Sequence, residues 1–155
     1  MEIEHLQIRT HRLERQLEFY REILQQEVTR TSADSFEVKM GYSTLEFIAE
    51  DSATPYHIAI HIGAHLERSA LEWLKDRVPI LPDGDQEVVD FKSWNAKSIY
   101  FHDADQNVWE LISRGHLHST GSSEFDGTLM GIAEIGLATT QVRPVFQKLN
   151  STLGL

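Results

Sequence analysis

The chain has 155 residues, room for one ordinary domain or two very small repeats, and its 41% hydrophobic and 25% charged content is that of a folding domain rather than a disordered tail. Lys and Arg number 14 against 24 Asp and Glu, and a net charge of -10 argues against nucleic acid or an anionic membrane as partner, since both are polyanions. The absence of cysteine excludes disulfides, thiolate metal sites and cysteine nucleophiles, and makes a cytoplasmic protein the simplest expectation. No secretory signal is read at the start of the sequence, and no apolar run approaches the roughly 20 residues of a membrane helix. Eight histidines are many for this length, a first compositional pointer to metal or proton chemistry.

Residues 3 to 9 alternate apolar and polar, with Ile3, Leu6 and Ile8 as the apolar members, which predicts a half-buried strand. Thr10 is a plausible helix cap, and Leu13, Leu17, Tyr20 and Leu24 then form the stripe of an amphipathic helix. Strand candidates follow at 27–31, 35–40 and 43–48, with Gly41 at the turn between the last two. After a linker at 51–55 the same order returns. A strand at 56–62 precedes a helix carrying Leu66, Ala70, Trp73 and Leu74, which ends before Pro79. Strand candidates at 87–91, 97–102 and 108–113 follow, the last two forming a hairpin around Asp103 to Asn107.

Two consecutive βαβββ units therefore predict an α+β fold, modules 1–50 and 56–114 making a curved mixed sheet with a cleft and the helices outside. A Gly/Ser/His-rich linker at 115–131 leads to a third start. This is a strand at 132–138 and a helix with Val142, Val145, Phe146, Leu149 and Leu153, a partial module at 132–155. The apolar stripes of the helices are expected in the core.

Placing the two units in register puts His5 and His57 on the first strands, and Glu46 and Glu110 on the last. If the units pair about a pseudo-two-fold axis, these four side chains can converge. Two imidazoles and one or two carboxylates suit a divalent first-row metal at roughly 2.0–2.2 Å. Such an ion, with positions left open, polarises a substrate oxygen. Arg9 shares a strand face with His5 and Gln7, and Arg114 lies just past Glu110; both are candidates to meet an anionic substrate. Trp94 and Asn95 are candidates to wall the pocket. His116 and His118 sit in the linker and are expected to be solvated.

These residues also resemble a known family. Ile3 to Ile8, the helix segment Leu17 to Leu24, Tyr56 to Ile60 and above all Tyr100 to Leu111, with its aromatic strand, Asp-rich turn and returning carboxylate, resemble the vicinal oxygen chelate superfamily. That superfamily includes glyoxalase I, bleomycin-resistance proteins, fosfomycin-resistance transferases and extradiol dioxygenases. The resemblance covers about residues 1 to 114. It implies metal ligation by His5, Glu46, His57 and Glu110 as in glyoxalases, or by His5, His57 and Glu110 as in the dioxygenases and fosfomycin transferases. The ion would be Zn, Ni, Mn or Fe.

The resemblance also implies a homodimer, in which one site can draw on two chains, and places Ser98 and Tyr100 against the substrate. The potassium-binding loop of the fosfomycin transferases is not evident, since Asp90, Phe91, Lys92 and Trp94 occupy that stretch. The leading expectation is a metal-dependent lyase or isomerase, with Glu46 or Glu110 as general base beside a carbonyl. The alternatives are a metal-free small-molecule binder of bleomycin-resistance type, using an aromatic cleft (Tyr56, Trp94, Tyr100, Trp109), and an extradiol-type dioxygenase.

Overall fold

Apolar and polar side chains alternate along the strands, and the chain resolves this pattern by laying its sheets over one shared core with helices on the apolar side. The structure, a computed structural model, describes residues 2–117, 123–136 and 138–154. His118 of the linker and one residue of the strand expected at 132–138, Leu137, lie outside the described residues, and the side chain of Leu153 is likewise not described.

The first module comprises β1 (His5–Thr10), α1 (Leu13–Glu18), β2 (Glu27–Arg30), β3 (Ser35–Met40) and β4 (Ser43–Ala49). The helical stripe predicted through Leu24 is there, but beyond α1 it continues as a π-helical turn, Phe19–Ile23, which packs Phe19 and Tyr20 inward. The strand order is β1-β4-β3-β2, with β1 parallel to β4 and the other pairs antiparallel.

The second module repeats this plan with β5 (His57–Ile62), α2 (Glu67–Lys75), β6 (Ile80–Leu81), β7 (Val89–Phe91), β8 (Ala96–His102) and β9 (Val108–Arg114). Again the first and last strands, β5 and β9, are parallel neighbours, and β8 runs antiparallel beside β9. Both β6 and β7 pair with β8, so the module's second strand is split in two by the loop around Gly84.

The predicted third start folds as β10 (Gly131–Gly136) and α3 (Val142–Leu153). β10 joins the second sheet antiparallel to β5, which gives that sheet the order β10-β5-β9-β8-β6. An isolated bridge from Ile3 to Ile132 ties it to the entry of β1. The expectation that all helix stripes lie in the core fails for α3. Val142 and Phe146 are 70% and 62% exposed.

The core is continuous across the modules. Tyr20 packs against Phe47 of the first sheet at 5.0 Å between ring centroids and against Trp109 of the second at 5.3 Å. The turn after β8 completes the joint. Buried Asp103 accepts hydrogen bonds from Gln16 Nε2 (2.9 Å), Tyr20 Oη (2.8 Å), Asn107 Nδ2 (2.7 Å) and Trp109 Nε1 (3.2 Å). The Thr10 hydroxyl donates to Asp105 of the same turn. The outward face of the first sheet carries polar residues, while on that of the second Ala59, Ala96 and Ile112 form a small buried cluster with Phe91 and Ala133.

Candidate functional site

Side chains at alternate positions share a face, so the apolar inward set (Ile8, Val38, Leu45, Phe47, Ile58, Leu111) obliges the intervening residues to face outward. On the first sheet these are His5, Gln7 and Arg9 of β1, Glu37 of β3 and Glu46 of β4. Register places Gln7 and Glu37 on either side of Glu46. Gln7 Nε2 donates to Glu46 Oε2 at 2.8 Å, and His5 Nε2 lies 3.5 Å from the same oxygen. One ligand atom from each of His5, Glu37 and Glu46 lies within 4.8 Å of the other two. An imidazole and two carboxylates with one open side are a donor set that fits a divalent ion of the Mn, Fe or Zn kind. Gln7 holds Glu46 in place as an outer-shell partner does.

On the second sheet His57 of β5, Ser98 and Tyr100 of β8 and Glu110 of β9 share the outward face. Glu110 is the buried member, its side chain only 9% exposed. It accepts from Ser98 Oγ at 2.6 Å and pairs with His57 Nε2 at 3.0 Å. Burial works against its charge, but the hydrogen bonds from His57, Ser98 and Tyr100 outweigh it, and the carboxyl is held below its usual range. The bond to Glu110 raises His57 above the ordinary imidazole value, against a smaller opposing effect of burial. Burial and the Glu110 charge push the Tyr100 phenol up to about 12, so it is a neutral donor at physiological pH. Gly136 of β10 lies opposite His57, where a Cβ would stand 3.1 Å from that of His57. Glycine there leaves room for the root of the His57 side chain.

One chain thus groups the four expected ligands as two pairs, His5 with Glu46 and His57 with Glu110. The cluster with metal-ligand spacing among the described residues takes in Glu37 and neither His57 nor Glu110. The strand insertion explains this: β10, rather than β1, occupies the place beside β5. Glu37 is not evident in the sequence because its strand reads as ordinary alternation; only the β3–β4 register puts it beside Glu46.

The remaining candidates are spread over the same faces. Ser98 and Tyr100 belong to the second half-site. Tyr100 also borders a shallow recess of about 390 Å³, lined by Leu81, Pro82, Asp83, Val89, Phe91 and Val108. Arg9 lies at the far end of β1 from His5, paired with Glu50 at 2.6 Å. Trp94 is exposed and stacks on Phe91, with ring centroids 5.8 Å apart. Asn95 lines a separate polar pocket of about 280 Å³ with His65, Glu67, Lys92 and Lys97. Arg114 is held by His61 and by Glu134 of β10. Of the aromatic cleft candidates, Trp109 is fully buried on the core side and cannot stack on a ligand.

No family model matches this sequence, and no curated protein matches it. Solved structures do. A glyoxalase/bleomycin resistance protein/dioxygenase from Nocardioides superposes with a TM-score of 0.59 at 19% identity, over 79% of this chain and 89% of that one. A protein of the same description from Alicyclobacillus acidocaldarius gives 0.58 at 18% identity, over 73% and 91%. A lactoylglutathione lyase from Agrobacterium tumefaciens gives 0.58 at 12% identity, over 72% and 92%. The chain therefore has the vicinal oxygen chelate fold, in agreement with the resemblance read from its residues. Among the described residues, no helix is long and apolar enough to cross a membrane.

Proposed function

We propose that this protein is a metal-dependent enzyme of glyoxalase-like type, a lyase or isomerase acting on a small substrate that offers adjacent oxygens. The observation that carries the reading is the spacing of His5, Glu37 and Glu46 on the open face of the first sheet. These three residues would hold the ion, which when bound supplies Lewis-acid polarisation of a substrate oxygen.

The second sheet supplies the proton chemistry, and since one chain keeps the two pairs apart, pairing with a second copy is what would bring it to the ion. Glu110 is charged and fixed by Ser98 and His57, a carboxylate free to take a proton next to a carbonyl, with its hydrogen bonds making it a weaker base than an unpartnered one. His57 donates through Nε2 to Glu110 Oε2, and so keeps the carboxylate charged and in place until it takes that proton. Tyr100, neutral and on the same face, donates a hydrogen bond to developing negative charge on the substrate. The apolar recess beside Tyr100 receives the substrate's hydrocarbon part. The same recess favours a second reading, a metal-free binder of flat small molecules. Pairing with a second copy is how His57 and Glu110 would join the first half-site in a four-ligand arrangement.

Elemental analysis of protein purified without a His tag distinguishes these readings. About one ion per chain, lost in Glu37→Gln and retained in Glu110→Gln, supports the half-site. Loss in both variants supports four ligands brought together by two chains. No bound metal, and no uptake on titration with Mn, Fe, Zn or Ni, overturns the enzyme reading in favour of the binder.

A further inference from the structure

Arg114 ends the outward row Val108, Glu110, Ile112 of β9, and its side chain is only 19% exposed. A guanidinium so sheltered needs fixed partners. Its Nε donates to His61 Nε2 at 3.2 Å, so His61 is neutral there with its proton on Nδ1. Burial and the neighbouring Arg114 charge both hold His61 below the ordinary imidazole value. His61 Nδ1 in turn faces the Tyr42 hydroxyl at 3.4 Å, and that hydroxyl donates to the Ile132 carbonyl at 3.0 Å. Tyr42 comes from the β3–β4 turn and Ile132 from β10. Arg114 is therefore aimed by a relay spanning both modules and the appended strand.

The last contact differs in kind. Arg114 Nη2 donates to Glu134, whose side chain is 53% exposed. Glu134 follows a register shift in β10 between Ile132 and Glu134, an irregularity of the sort that re-aims a side chain. Register sets it opposite Ala59, whose other neighbour is Glu110. Its charge is felt at both His57 and Tyr100. A sheltered guanidinium held from behind thus meets a half-exposed carboxylate at the edge of the second half-site.

We propose that Arg114 is the anchor for a carboxylate on the ligand, and that Glu134 stands in for that carboxylate until the ligand displaces it. The planar fork of arginine matches a carboxylate in two parallel hydrogen bonds, and the exposed Glu134 contact is the weak one to exchange. The ligand class is therefore a small carboxylic acid, bound as its anion. That this ligand is a substrate rests on the function proposed above, but anion binding at Arg114 requires no metal.

Benzoate and benzamide, alike except for the charge, are titrated into metal-stripped protein while the backbone amide resonances of β9 and β10 are followed by NMR. Benzoate is expected to shift the backbone amide signals of residues 112–115 and 134 saturably and to bind about tenfold tighter to Glu134→Gln, where the internal competitor has lost its charge. Arg114→Met abolishes the response and Arg114→Lys, charged but without the fork, weakens it; the dispersion of each spectrum reports that the variant is folded. Benzamide is indifferent to all three changes. Equal benzoate affinity in wild type and Glu134→Gln, survival of binding in Arg114→Met, or no saturable response in either protein overturns the proposal. Metal uptake by the same samples is measured separately, so failure here leaves the metal reading standing, and the reverse.

Discussion

Asp103 carries the joint between the modules, and its replacement by alanine tests whether that joint holds the half-sites in place. Its carboxylate serves four side-chain donors, on Gln16, Tyr20, Asn107 and Trp109, all buried at 1% exposure or less. Each buried donor left without an acceptor costs about 1–3 kcal/mol. Four of them at the lower figure amount to about 4 kcal/mol, a large part of the roughly 5–15 kcal/mol that stabilises a domain. The Oδ1 bonds to the backbone N–H groups of Asp105 and Asn107 are lost as well, so the turn itself loosens.

Tyr20→Phe removes a single donor and leaves Asp103 with three others. It is expected to cost about 1 kcal/mol. Urea denaturation followed by tryptophan fluorescence reads both variants, since Trp109 sits in the joint. A protein that no longer folds, or a loss of about 4 kcal/mol or more in Asp103→Ala, agrees with the reasoning. A loss below about 1 kcal/mol would refute it and make the turn a passive connector.

Glu110→Gln should let the His57 titration fall back toward 6.5, because the bond to the charged carboxylate is the largest effect raising it; an unmoved titration by NMR contradicts this. In metal-free protein the pair's stabilisation is fullest between about pH 4.5 and 6.5, the ordinary values of the two groups. It fades above that window as pH rises through the raised His57 value, and below it as pH falls through the depressed Glu110 value. Denaturation midpoints of wild type and Glu110→Gln across pH check the window; a constant gap between the two curves would be the wrong result. Gly136→Ala places a methyl 3.1 Å from the His57 Cβ, so the His57 side chain must give by a few tenths of an ångström at its root. It should shift the His57 resonances with about 1 kcal/mol of lost stability, and unchanged His57 shifts would count against the packing.

Much of the fold is legible in the sequence because periodicity writes it twice. The stripe Leu13, Leu17, Tyr20 and Leu24 and the alternation around Ile58 and Ile60 each recur in register, and the hairpin at Asp103 to Asn107 has turn residues that permit little else. The same logic finds His5, Glu46, His57 and Glu110, since first and last strands are parallel neighbours in both modules. Grouping those residues is a matter of partner choice between strands, which local pattern does not carry. Nothing in Ile132 to Gly136 says that this strand lies against β5, and that choice separates the two pairs and brings Glu134 to Arg114. Glu37 is hidden for the same reason. Among Phe36, Val38 and Met40 it reads as the solvated side of a strand, and only its position across from Glu46 brings it into the cluster with metal-ligand spacing.

The claim that the first sheet holds the ion is tested most directly by crystals of the protein soaked in Mn(II), with data collected at the Mn absorption edge. An anomalous peak among His5, Glu37 and Glu46, absent from the Glu37→Gln variant, is the predicted result. A peak at His57 and Glu110 alone, or none in protein that otherwise matches this fold, would contradict it.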